Sequence, residues 1–207
     1  MSEESSGAQL DRDRLRILVV GAGGQGVLTA ARILGDAASR SGLEAVLGQL
    51  HGMSQRGGSV ESTVLIGPGR SSFIEDRGAD AVLGLEPLEV LRARRKMSER
   101  TKVVTNLGRV VPYTLGLKGQ GYPDLQQILA GIRAVTPEVV EVDGPAIVEA
   151  AGGSRCLNIA MVGALAGLDV LPFDDKALWS SVEARCPARY LATNQRAFEL
   201  GRQAVCA

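Results

Sequence analysis

Two glycine-rich stretches carry the residues best suited to chemistry in this sequence. Gly21-Ala22-Gly23-Gly24-Gln25-Gly26-Val27 follows an apolar run. His51-Gly52-Met53-Ser54-Gln55-Arg56-Gly57-Gly58 comes about thirty residues later. In the first, Gly21-x-Gly23-x-x-Gly26 has the spacing of a strand-to-helix turn that leaves N–H groups free for an anion. Gly21 permits the turn, Gly23 admits a ligand to the backbone, and Gly26 lets the helix pack closely. In the second, Arg56 brings a permanent charge and a planar donor fork that suits carboxylate or phosphate. Ser54 and Gln55 add donors, while Gly57 and Gly58 keep the backbone adaptable.

Each stretch also has a plainer reading. The glycines of the first can simply make a tight corner, and Arg56 can pair with a local acid. A dinucleotide site is disfavoured by its surroundings. The acid that grips a ribose belongs at the end of the second strand, where the sequence reads Leu47-Gly48-Gln49-Leu50-His51. Glu44 stands at the wrong end of that strand, and no basic cluster suits NADP. His51 is the one histidine, with no evident partner to make it a base. Cys156 reads as a small buried hydrophobe rather than a nucleophile.

The elements that must position these residues are legible from periodicity. Residues 15–20 form a buried strand, and 25–41 have helical spacing closed by Gly42. Strands are expected over 43–47, 59–67, 79–85, 102–106 and 139–142, with a loop over 48–58. Pro87 opens a helix running to 97. Residues 112–123 are a glycine-rich connection. Further helices are expected over 124–133, 144–151, 157–168, 174–184 and 189–205. The opening strand–helix–strand order implies parallel neighbours and a right-handed crossover. The expected fold is α/β: a Rossmann-like, doubly wound, mostly parallel sheet with a helical C-terminal tail. Residues 1–14 read as a disordered lead-in and 15–207 as one domain.

Composition narrows the function. The 207 residues carry 23 basic and 23 acidic side chains, so no long-range field draws this chain to nucleic acid or an anionic membrane. No apolar run approaches the length of a membrane span. With 45% hydrophobic but only 3% aromatic residues, the core must be aliphatic. Cys156, Cys186 and Cys206 are far apart, so the chain alone offers neither a zinc site nor an iron–sulfur ligand set. Their sparse, odd number suits a reducing cytoplasm.

The paired motifs resemble the gamma-type domain of 2-oxoacid:ferredoxin oxidoreductases, and among these the small beta subunits of the indolepyruvate-oxidising enzymes. The similarity extends to Asn158-Ile159-Ala160-Met161-Val162-Gly163-Ala164-Leu165 and to Asn194-Gln195-Arg196-Ala197-Phe198 with Gly201, and so spans most of residues 15–203. The resemblance implies oxidative decarboxylation of a 2-oxoacid such as an aryl-pyruvate. Coenzyme A accepts the acyl group and ferredoxin the electrons. It places thiamine diphosphate, magnesium and iron–sulfur clusters on a large alpha subunit, with no cofactor or metal held by this chain alone. It casts Arg56 as catalytic, and Gly21, Gly23, Gly24, Gln25, Gly26, Ser54, Gln55, Gly57 and Gly58 as cofactor-binding. A free-standing NAD(P) or flavin oxidoreductase and a non-enzymatic assembly module are the rival expectations.

Overall fold

The structure, a computed structural model, describes residues 14–51, 58–111, 121–153 and 155–206, without the side chains of Leu50, His51 and Cys206. The expectation for the N-terminal lead-in therefore falls, except for Arg14, outside the described residues, as does most of the 112–123 connection.

Strands β1 (Leu15–Ala22), β2 (Ala45–His51), β3 (Ser59–Ile66), β4 (Ala81–Gly84), β5 (Lys102–Asn106) and β6 (Val139–Val142) form one sheet in the order β2-β3-β1-β4-β5-β6. Helices α1 (Val27–Arg40), α2 (Pro87–Arg92), α3 (Leu125–Arg133), α4 (Gly144–Ala151), α5 (Leu157–Ala166), α6 (Asp175–Glu183) and α7 (Leu191–Cys206) complete the described elements. The sheet is mostly parallel: β1, β4, β5 and β6 pair in parallel, and β3 alone runs against its neighbours.

Alternation along β1 explains the layering. Ile17 and Val19 face one core, with Val64, Leu83 and α1, α5 and α7. Leu18 and Val20 face the other, with Val82, Val103, α2 and α3. Both faces are covered, so β1 reads as a continuous apolar run. Helix α5 is apolar all round and buried from Asn158 to Ala166, which suits a helix enclosed on every side.

Three expectations need correction. The first two strands are not neighbours, because β3 lies between β1 and β2 and is antiparallel to both. The β1–α1–β2 crossover thus skips one position, which the chain fills by turning straight back from β2. Second, β2 extends through His51 rather than ending at Leu47. Its register with β3 continues unbroken from Ala45↔Ile66 to His51↔Val60. Gly48 fits this ladder because a Cβ there would stand 2.4 Å from Ser72 Oγ. Third, the helix opened by Pro87 ends at Arg92 and tightens into a 3-10 turn over Ala93–Lys96.

Candidate functional site

The carboxyl ends of β1, β4 and β5 meet at one rim, where the winding of the sheet reverses between β1 and β4. Such switch points are where open α/β sheets place ligands. The glycine turn lies here. Gly24 (φ +97°) and Gly26 (φ +86°) take the left-handed conformation that lets the chain leave β1 and enter α1 at once. Gly26 is the N-cap of α1 and supplies no side-chain acceptor. The N–H groups of Gly26, Val27 and Leu28 have no acceptor among the described residues.

The turn also meets the second glycine segment. The Gly23 N–H donates to the Gly58 carbonyl at 2.8 Å. At the other end of that segment, His51 pairs with Val60. Both ends of the 52–57 connection are therefore anchored at the rim beside the turn. Ser54, Gln55, Arg56 and Gly57 themselves lie outside the described residues.

Gln25 locks the turn from within. Its Oε1 accepts from the Ala22 N–H at 2.7 Å, and its Nε2 donates to the Leu85 carbonyl at 2.9 Å. Asn106, at the end of β5, donates to the same carbonyl at 2.9 Å. Its Oδ1 accepts from the N–H groups of Gly108 and Gly144, at 2.9 and 3.2 Å. Two amide side chains thus tie together the ends of β1, β4 and β5. Both amide atoms of Gln25 are thus engaged in holding the rim. Gly23 likewise has its N–H occupied by Gly58.

Next to the turn stands Asn158, in the first turn of α5. It is 9% exposed, and its Nδ2 would lie 2.7 Å from a Cβ at Gly26. Its amide has no hydrogen-bond partner among the described residues. Beside it opens a cavity of about 680 Å³, lined by Thr29 of α1, Cys156, Asn158, Arg155, Arg185 and Arg189. Arg185 pairs with Asp36 at 3.3 Å, and Arg189 stacks on Tyr190, 4.8 Å from the ring centre. The cavity is net cationic and of a size suited to a phosphate-bearing small molecule. Cys156 is buried as expected. Its thiol donates to the Gly153 carbonyl, and burial pushes its pKa up, which disfavours a thiolate.

On the far side of the rim, Glu86 follows β4 and is fully buried. It caps α2 by accepting from the Glu89 N–H at 3.0 Å, and it accepts from the Val110 N–H and the Tyr122 hydroxyl. Desolvation raises the Glu86 carboxyl above its ordinary value of 4.5, although these donors pull the other way. Burial and the adjacent carboxylate also hold the Tyr122 phenol well above its usual range. The folded protein therefore binds the Glu86 proton more tightly than the unfolded chain does. The stability linked to this group is present below about pH 4.5 and is lost as pH rises through the raised folded value. In Glu86→Gln that loss disappears. The denaturation midpoint of the variant, relative to the parent, is expected to rise as pH increases from about 4.5 through the raised folded value. Parallel midpoint–pH curves for the two proteins would rule this account out.

Sequence reasoning found both glycine segments but missed Asn106, Glu86, Tyr122 and the three arginines. The arginines are far from the turn in sequence, and only the stacking of α6 and α7 beyond α1 and α5 gathers them. Asn158 carries one signal, a polar residue opening an otherwise apolar helix. Among the described residues, no group of three or more His, Cys, Asp or Glu could hold a metal ion, and no helix is long and apolar enough to cross a membrane.

Comparison with known proteins places this geometry in context. Residues 16–204 match the model of the pyruvate ferredoxin/flavodoxin oxidoreductase family. The chain belongs to that family. Indolepyruvate oxidoreductase subunit IorB of Archaeoglobus fulgidus is 38% identical over 188 residues, covering 91% of this chain and 94% of the relative. The subunit of the same name from Methanothermobacter thermautotrophicus is 37% identical, covering 89% and 94%. Among solved structures, the gamma subunit of the keto/oxoacid ferredoxin oxidoreductase of Geobacter sulfurreducens has a TM-score of 0.68 at 23% identity, covering 93% of this chain and 98% of that one. A chain of the 2-oxoglutarate:ferredoxin oxidoreductase of Magnetococcus marinus, solved with 2-oxoglutarate, coenzyme A and succinyl-CoA, has a TM-score of 0.72 at 18% identity. That match covers 94% of this chain but 31% of the longer one. These structures share the fold, and the family makes this chain a subunit of a 2-oxoacid:ferredoxin oxidoreductase.

Proposed function

We propose that this subunit completes the active site of a thiamine-diphosphate-dependent enzyme that oxidises an aryl-pyruvate such as indolepyruvate to its acyl-CoA, and that it does so by holding the coenzyme A substrate at the rim. The observation that carries the reading is the Gly23–Gly58 hydrogen bond, which holds the end of the second glycine segment against the first. A large partner subunit brings thiamine diphosphate, magnesium and iron–sulfur clusters, and passes electrons to ferredoxin. The thiamine cofactor supplies the carbanion chemistry.

This chain's residues bind and orient. The free N–H groups at the start of α1 present the positive end of the helix to a phosphate of coenzyme A. Asn158 offers its unpaired amide to the same ligand, and Arg155 and Arg189 neutralise its charge from the adjoining cavity. Gln25 and Asn106 keep the turn rigid, so little ordering remains to be done when the ligand arrives. Arg56 serves the reacting groups, with Ser54, Gln55 and Gly57 as further donors.

A dinucleotide reading fits less well. A Rossmann site needs its second parallel strand beside the first, whereas here antiparallel β3 occupies that place. The test is coexpression with the large subunit followed by titration of the assembled enzyme with coenzyme A. Removing the Asn158 amide in Asn158→Ala deletes about 1–2 kcal/mol of hydrogen bonding, or roughly a tenfold rise in the Kd and KM for coenzyme A. The KM for the 2-oxoacid is expected to stay unchanged. A variant that binds coenzyme A as tightly as the parent, or a chain that purifies alone with its own redox coenzyme, would end this reading.

A further inference from the structure

Among the described residues, strand β2 closes one side of the sheet and pairs with β3 alone. The Gly67 N–H donates to the Glu44 carbonyl at 2.9 Å, which fixes which backbone groups face β3. Counting in twos from Glu44, residues 46, 48 and 50 face β3, while the N–H and C=O groups of Ala45, Leu47 and Gln49 point away from the sheet. Exposed edges of this kind are normally blunted by Lys, by Pro or by a bulge. β2 has none of these. Its seven residues, AVLGQLH, include no Lys, Arg, Asp, Glu or Pro, and its register with β3 is unbroken.

Large apolar side chains flank this edge. Leu47 is 41% exposed, although it reaches Gly35 of α1 on one face of the sheet. Phe73 is 69% exposed. Its neighbour Ser72 bonds Thr63 of β3 at 3.1 Å and crowds Gly48, so Phe73 follows a residue seated directly on β2 and β3.

We propose that this edge takes the β2 strand of a second copy of this chain, antiparallel across a two-fold axis, so that the two sheets continue as one. An isologous contact requires a surface that complements itself. An uncharged strand meets that requirement, and the flanking charge decides the direction. Glu44 is the one acidic residue at the end of β2. Antiparallel pairing sends the two Glu44 side chains to opposite ends of the joint, whereas parallel pairing sets them side by side. The two rims then lie at opposite ends of the shared strands, both open to a larger partner. The inference does not depend on the ligand proposed for the rim.

Sedimentation velocity of the full chain over a range of concentrations tests it. The parent is expected to show a reversible monomer–dimer equilibrium, with slow hydrogen exchange at Leu47 and Gln49 in the dimer. Gln49→Pro removes one outward N–H without touching the ladder to β3. Gln49→Lys sets a charge on the edge and leaves the backbone intact. Both variants are expected to sediment as monomers with the parent's circular dichroism. A parent that is monomeric at every concentration overturns the proposal, as does a dimer that persists in both variants. Protection of these amides only after the large subunit is added would assign the edge to that subunit, and overturns it too.

Discussion

Gly201→Ala is expected to destabilise this subunit by about 2 kcal/mol or more. That is the upper range for overpacking, about 3 kcal/mol, less the roughly 1 kcal/mol that alanine gains over glycine within a helix. The cause is the approach of α5 to α7. A Cβ on Gly201 would stand 1.9 Å from the Ala160 carbonyl oxygen, and one on Gly163 would stand 2.1 Å from that of Phe198. Both obstacles are backbone atoms, so no rotamer change relieves them and the helices must separate. In a chain of this size the midpoint of thermal unfolding is expected to fall by about 4–8 °C. Gln203→Ala, at an exposed position on the same helix, serves as the control and is expected to stay within about 0.5 kcal/mol of the parent. Because the start of α7 also supplies Arg189's neighbours Thr193 and Asn194 to the cavity, Gly201→Ala is further expected to weaken coenzyme A binding. An unchanged midpoint would mean that the two helices tolerate a wider spacing than their contact implies.

The same pair of helices shows how far the sequence could be read. Residues 157–166 are apolar at almost every position, which announces a buried helix. Gly163 and Gly201 stand out only as glycines inside helical patterns. That they face each other is a property of packing, and no local period records it. β3 is a similar case. Its β-branched alternation marks it as a strand, but a strand's own residues do not state its direction or its neighbours. The crossover rule favoured β2 beside β1, but β3 pairs antiparallel with both and stands between them. β2 runs on through Gly48, where the sequence reading places the start of a loop. Its place in the ladder is explained by Ser72, twenty-four residues away, lying where a side chain would go.

At the rim, the backbone turn itself was legible from local sequence. The turn from Gly21 to Gly26 follows from glycine spacing between a strand and a helix. Its support does not. The Nε2 of Gln25 is bound by Leu85, sixty residues later, a contact that no local pattern announces. Asn106 arrives only at the end of β5, and Asn158 only after β6. The cavity arginines come from segments whose local sequence gives no reason to converge.

Arg56→Ala is expected to lower kcat/KM of the assembled enzyme by about a hundredfold, the scale for losing one well-placed donor to a reacting group. The subunit should remain folded. The connection that carries Arg56 joins two strands already paired up to His51↔Val60, and Gly58 is held by Gly23, so the sheet does not rely on this side chain. Stability within about 0.5 kcal/mol of the parent and an unchanged complex mass are the controls. Arg56→Lys keeps the charge but loses the fork, so partial recovery points to electrostatics and none points to bidentate contact. The split between substrates identifies the ligand. If Arg56 grips the 2-oxoacid carboxylate, the loss appears in kcat and in the KM for that acid. If it grips coenzyme A, the loss appears in the KM for coenzyme A and adds to that of Asn158→Ala less than fully, because both side chains then hold one molecule. Full activity in Arg56→Ala would remove the loop from the mechanism and leave the turn, the cavity and Asn158 to account for the subunit's part in the reaction.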